Sequence, residues 1–146
     1  MPARSPAFVL IHVVWATRDR RCLLRPEFDE DLASILGKKA RAVGCDLLAA
    51  GSASDHVHVL LRLDHAVALA HAVQRLKGAT SYDVNHHDPL SEHFAWQAGY
   101  WAESLCPADL DPLARYLRTQ RQHHDDSNPA ERWQLATDGE PTSGGL

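Results

Sequence analysis

The segment Asp55-His56-Val57-His58-Val59-Leu60-Leu61-Arg62-Leu63 constrains the fold of this chain more than any other. Successive side chains of a strand point to opposite faces, so Val57, Val59, Leu61 and Leu63 make one apolar face. His56 and His58 share the other face with Leu60 and Arg62. Such a segment belongs in a sheet, with its apolar side covered by helices. The spacing predicts a strand over 56–63 with both imidazoles on an uncovered face, outside the apolar core. Two imidazoles side by side are what a metal ion takes from an i, i+2 pair, and also what a solvated strand face carries.

The remaining elements follow from periodicity and punctuation. Phe8 to Trp15 is apolar and β-branched, a strand buried on at least one face, and Thr17 to Arg21 is a charged turn. Pro26 opens a helix in which Phe28, Leu32, Ile35, Leu36 and Val43 recur at helical spacing, and Gly44 closes it. Cys45 to Ser52 is a second strand, followed by a turn through Ser54 and then the histidine strand. A helix from about Val67 carries Leu69, Val73, Leu76 and Val84 inward. Phe94 to Leu105 reads as a strand bent at Gly99, and Pro107 starts a last helix that runs to about His124. The order β-α-β-β-α-β plus a C-terminal helix predicts an α+β, ferredoxin-like (split βαβ) antiparallel sheet. Its two helices would cover one face and leave the other for chemistry or a ligand.

With 146 residues the chain is the size of one ordinary domain. Fifteen Lys and Arg against nineteen Asp and Glu give −4, which argues against blanket binding of nucleic acid but not against a local basic patch. From Asp125 onward five acids face one base, so residues 1–124 form a neutral body and 125–146 a short acidic tail. Three cysteines without CxxC spacing predict free thiols in a reducing cytoplasm rather than a disulfide framework. The apolar run from Ala7 to Ala16 is broken by His12 and is far shorter than the ~20 residues a membrane span needs.

The last helix carries Leu110, Leu113 and Leu117 as an apolar stripe. Tyr116 and Gln120 lie one turn apart on a different face. A phenol beside an amide oxygen could be a nucleophile next to a metal ligand, or a tyrosine packed at the core edge. His12 falls in register with Leu10 and Val14 and reads as a hydrogen-bonded sheet residue. Arg18, Arg20, Arg21 and Lys77 flank turns or helices, where they could contact phosphates or simply solubilise.

Five ordered segments narrow these alternatives. They are Trp15-Ala16-Thr17-Arg18, Asp55-His56-Val57-His58, Leu76-Lys77-Gly78, Phe94-Ala95-Trp96-Gln97-Ala98-Gly99-Tyr100, and Tyr116 to His124. Together they resemble the single-tyrosine HUH transposases of the insertion-sequence 200/605 type, over about residues 7–124. The resemblance implies that His56 and His58 are metal ligands, Gln120 a third ligand and Tyr116 the nucleophile. It implies a divalent cofactor, Mg²⁺ or Mn²⁺, and single-stranded DNA hairpins as partners. It further implies a homodimer whose sites are shared between subunits. The short acidic tail departs from the family, in which a further charged helix usually follows. Two rival readings are a non-cutting nucleic-acid-binding module of the same fold and a metal hydrolase. A hydrolase would want an acidic base near the metal, and strand alternation turns Asp55 away from His56.

Overall fold

The computed structural model describes residues 8–87 and 94–119, so the expectations placed on Gln120 and on the 125–146 tail lie outside the described residues. β1 (Val9–Ala16) leads through 3-10 turns at Arg18–Arg20 and Pro26–Phe28 into α1 (Asp29–Ala42). Then come β2 (Asp46–Ser52), β3 (His56–Leu63), α2 (Leu69–His87), β4 (Trp101–Ser104) and α3 (Pro107–Arg118). The strands form one antiparallel sheet in the order β2-β3-β1-β4. This is the split βαβ arrangement that the element order predicts, with the C-terminal helix added.

Local chemistry explains the boundaries. Asp29, Glu30 and Asp31 stand in the first turn of α1, with Lys39 and Arg41 in its last, each sign opposing the local end of the helix dipole. Gly44 adopts φ 88°, a conformation that favours glycine, and the reversed chain lets the Cys45 N–H donate to the Ala40 carbonyl at 2.8 Å. The apolar side of the sheet then meets both long helices. Ile11, Val13 and Trp15 of β1 and Val57, Val59 and Leu61 of β3 pack with Leu36, Ala40, Ala72, Val73 and Leu76. Burial of each Leu or Val contributes about 1.5–3 kcal/mol. Leu24, Phe28, Leu32, Val84 and Phe94 extend the core in a second cluster.

Two expectations change. The aromatic segment is not one long strand: Trp101–Ser104 alone forms β4, while Trp96 makes a single bridge to Thr17 and Gly99 bends the chain at φ 85°. Side-chain bonding competes with the ladder there. The Trp96 indole N–H donates to the Lys77 carbonyl at 3.1 Å and to Thr80 Oγ1 at 3.0 Å, drawing the ring toward α2.

The second change concerns the sheet's other face, which is not left open. α3 lies on it, with Ala114 and Leu117 buried against Ala49 and Leu60 and with Leu110, Leu113 and Tyr116 around them. Trp101 covers Val14 and Ala16 on the same face. His56 and His58 are therefore 2% and 0% exposed, inside the packing rather than on a solvated surface. The cause is the stripe on α3: an amphipathic helix at the end of β4 buries its apolar side on the nearest apolar surface. Among the described residues no helix is long and apolar enough to cross a membrane.

α3 approaches β2 closely at Gly51, where an added Cβ would sit 2.1 Å from the Leu117 carbonyl oxygen and 2.8 Å from its carbon. Gly51 is the β2 partner of His58 in the ladder, so the last turn of α3 meets the sheet beside the histidine strand. Neither contact atom can swing aside, because both belong to backbone. Gly51→Ala should displace α3 and lower stability by about 1–3 kcal/mol, as overpacking does. Hydrogen exchange will check it: amides of Leu113–Leu117 lose protection while those of β1 and β3 keep theirs.

Candidate active site

The β1/β3 register sets the site. Ala16 pairs with His56, Val14 with His58 and His12 with Leu60, so the face that carries both strand histidines also carries His12. The His56 and His58 rings lie 5.0 Å apart between centroids, at 72°. Each is held at Nδ1. His56 Nδ1 is 2.7 Å from Asp55 Oδ1, and His58 Nδ1 is 2.8 Å from His12 Nε2. Both of these contacts are made through Nδ1. A protein group holding one ring nitrogen while the other faces a ligand is the usual setting of a metal-bound imidazole.

Asp55 corrects an expectation. It precedes β3 in a turn rather than lying on the strand, so strand alternation does not turn it away and its carboxylate folds back onto His56. Its other oxygen takes the Arg20 Nε–H at 3.1 Å. The turn that brings Arg20 there is costly in backbone terms. Asp19 and Arg20 both have φ 56°, a left-handed conformation that non-glycine residues adopt rarely. Thr17 fastens the turn: its N–H donates to the Asp55 carbonyl at 2.8 Å and its hydroxyl to the Arg21 carbonyl at 2.6 Å. Partial burial alone would raise the Asp55 pKa. The His56 hydrogen bond and charge, with Arg20 behind them, outweigh it and hold the carboxyl below its ordinary value.

Tyr116 is half-buried on α3, packed against the cluster built on Leu60, two residues along the same face from His58. Arg18 and Arg21 are exposed in the turn after β1, at the His56 end of the sheet. Arg20 is engaged by Asp55, and Lys77 donates to the carbonyls of Gln97 and Gly99 at 2.8 and 2.9 Å. Lys77 thus braces the bend that precedes β4, and burial lowers its pKa. Sequence reasoning placed His12 in the sheet and missed its contact with His58, and it missed the Arg20–Asp55–His56 chain. The parity of His12 was readable, but its neighbour was not, because strand order and register are tertiary facts.

Among the described residues no group of three His, Cys, Asp or Glu side chains could hold a metal ion. The two histidines fit two positions of a cation that accepts nitrogen, Mn²⁺ at least as readily as Mg²⁺. Further ligands would have to be oxygens of another kind, such as an amide or a phosphate.

The lowered Asp55 pKa has a stability consequence with a definite sign. A carboxyl depressed on folding contributes stability that is complete above its unfolded pKa, about 3.9, and is lost as pH falls through the lower folded value. Melting of the parent chain and of Asp55→Asn should therefore differ most near neutrality and converge below about pH 4. A gap that stayed constant through that range would contradict the assignment.

Comparison with known proteins agrees with this architecture. The family described as "Transposase IS200 like" matches residues 8–120. The ISDra2 transposase TnpA of Deinococcus radiodurans is 28% identical over 95 residues, which cover 65% of this chain and 68% of that protein. A crystal structure of a candidate transposase from Deinococcus radiodurans R1 has a similar fold, with a TM-score of 0.64 and 23% identity over 83% of this chain and 97% of that one. So does a REP-associated tyrosine transposase bound to a REP hairpin, with a TM-score of 0.58 and 14% identity over 82% of this chain and 72% of that one. A split βαβ sheet with a histidine pair on its second face, and a family match across most of its length, place this chain in the IS200-like transposase family.

Proposed function

We propose that this transposase cuts and rejoins single-stranded DNA through a 5′-phosphotyrosine intermediate, with Tyr116 as nucleophile and His56, His58 and Gln120 holding a divalent metal, Mg²⁺ or Mn²⁺. The observation that carries the reading is the paired imidazoles, each fixed at Nδ1, on the sheet face where the Tyr116 helix docks. A metal bound there supplies positive charge to the oxygens of the scissile phosphate. The oxygen of Tyr116 attacks phosphorus, and the phenol's proton passes by way of solvent to the departing 3′ oxygen. The bond to the 3′ oxygen breaks, leaving a free 3′-hydroxyl and the 5′-phosphate on tyrosine. A free phenol has a pKa near ~10 and needs such a charged setting to react at neutral pH. The linkage keeps the phosphodiester's energy, so a second 3′ end can reverse the step without ATP.

The substrate is a hairpin near the ends of the element that encodes the chain. Arg18 and Arg21, exposed in the turn at the His56 end of the sheet, support backbone contact there. The cytoplasm is the compartment for such a reaction, in keeping with the free thiols of Cys22, Cys45 and Cys106. The hydrolase reading is weaker, because both oxygens of Asp55 are already engaged, by His56 and by Arg20. Within the chain α3 lies on its own sheet; sharing of sites in a homodimer would have α3 dock on the partner's sheet through the same Gly51 contact.

Incubation with single-stranded DNA from the flanks of its gene and Mn²⁺ should give a covalent protein–DNA band. Tyr116→Phe should lower its yield by on the order of 10⁴-fold or more while hairpin affinity stays within a few-fold, since only the hydroxyl is lost. A surviving band in that variant would move the nucleophile elsewhere. A mixture of His56→Ala/His58→Ala with Tyr116→Phe, allowed to exchange subunits, should regain about half the cleavage of one site if sites are shared. No recovery in proven heterodimers would assign each tyrosine to its own chain's histidines.

A further inference from the structure

His12 is 4% exposed on β1, and the proposed reaction gives it no part. Its Nε2 lies 2.8 Å from His58 Nδ1, and the two rings stack with centroids 5.1 Å apart at 22°. Two neutral imidazoles at this distance share one proton, so one ring donates and the other accepts. The direction matters. If His58 donates from Nδ1, its Nε2 carries a lone pair; if His12 donates, His58 Nε2 carries the proton and cannot bind a cation.

We propose that His12 is a positioning residue that accepts a hydrogen bond from His58 Nδ1–H and so holds His58 in the tautomer whose Nε2 binds a divalent cation. The inference rests on the reading of His56 and His58 as ligands. The companion ring sets the pattern: His56 is engaged at Nδ1 by a carboxylate, which when ionised can only accept, so in the neutral ring the proton is on Nδ1 and Nε2 carries the lone pair. A cation bound by both rings then needs the same tautomer of His58. On the other side of His12 stands Glu103. It pairs with His12 across the β1/β4 ladder and shares its face, on the flank of β1 away from His58. A carboxylate on that side, where it reaches His12 Nδ1, would hold the proton of His12 on that nitrogen and leave Nε2 to accept. Trp101 packs edge-on against His12, with ring centroids 5.3 Å apart at 82°.

Two measurements test the proposal. In the metal-free chain, at a pH where the rings are neutral, ¹⁵N spectra of histidine-labelled protein should give His58 a protonated Nδ1 and an unprotonated Nε2. The opposite tautomer would overturn the proposal, whether or not the chain binds metal. Mn²⁺ titration followed by electron paramagnetic resonance should then find binding weakened about 10–100-fold in His12→Phe, which keeps the ring but cannot accept. His12→Gln should recover most of that loss, because its amide oxygen can accept where Nε2 did. Equal affinity in parent and His12→Phe, or a Gln variant as weak as the Phe variant, would reject the role. If the parent chain binds no Mn²⁺, the ligand reading fails by itself, and the tautomer still decides what His12 does.

Discussion

The pairing of β1 with β3 is the constraint from which the candidate site follows. Eight residues of each strand are matched from Val9↔Leu63 to Ala16↔His56. Because side chains alternate, a slip of one residue would send Ile11, Val13 and Trp15 to the wrong side of the sheet, so the apolar pattern enforces the register. The same register brings His12 onto the face of His58, and it ends β1 where Thr17 can reach the Asp55 carbonyl. The hydrophobic core thus fixes polar geometry on the opposite surface without a polar interaction having to specify the strand pairing.

Much of this was readable from residue order. The alternation in His56–Leu63 matches β3 at both ends, and Pro26, Gly44 and Pro107 mark boundaries that backbone chemistry explains. The element order also carried the fold class. What the order of residues did not carry was the state of the second sheet face. The stripe Leu110, Leu113 and Leu117 was visible, but the surface that would receive it depended on how the chain turned after β4. The burial of both histidines, and the return of Asp55 onto His56, followed from that hidden geometry. The short β4 has a similar origin, since Trp96 found its hydrogen bonds on α2 rather than in the sheet.

The surroundings of the two strand histidines differ in kind. His56 stands at the end of a charged chain, Arg20 to Asp55, anchored in a turn with two left-handed residues. His58 lies deeper and leans on an imidazole, a partner whose own proton can sit on either nitrogen. One ring is therefore oriented by an ion pair near the surface and the other by aromatic packing with His12. Substitution at either histidine also opens space in a buried layer, so loss of activity in such variants has to be separated from loss of packing.

The connection between β4 and α3 is short. Only Leu105 and Cys106 separate Ser104 from Pro107, and the Leu105 N–H is tied to the Leu10 carbonyl at 3.1 Å. A stretch of that length reaches at most about 10 Å. Any assembly in which α3 left its own sheet for that of another copy would have to bring the two sheets together along the edge from which α3 departs. The tether thus acts as a ruler, restricting the relative placements of two copies that could exchange a helix while both sheets stay folded.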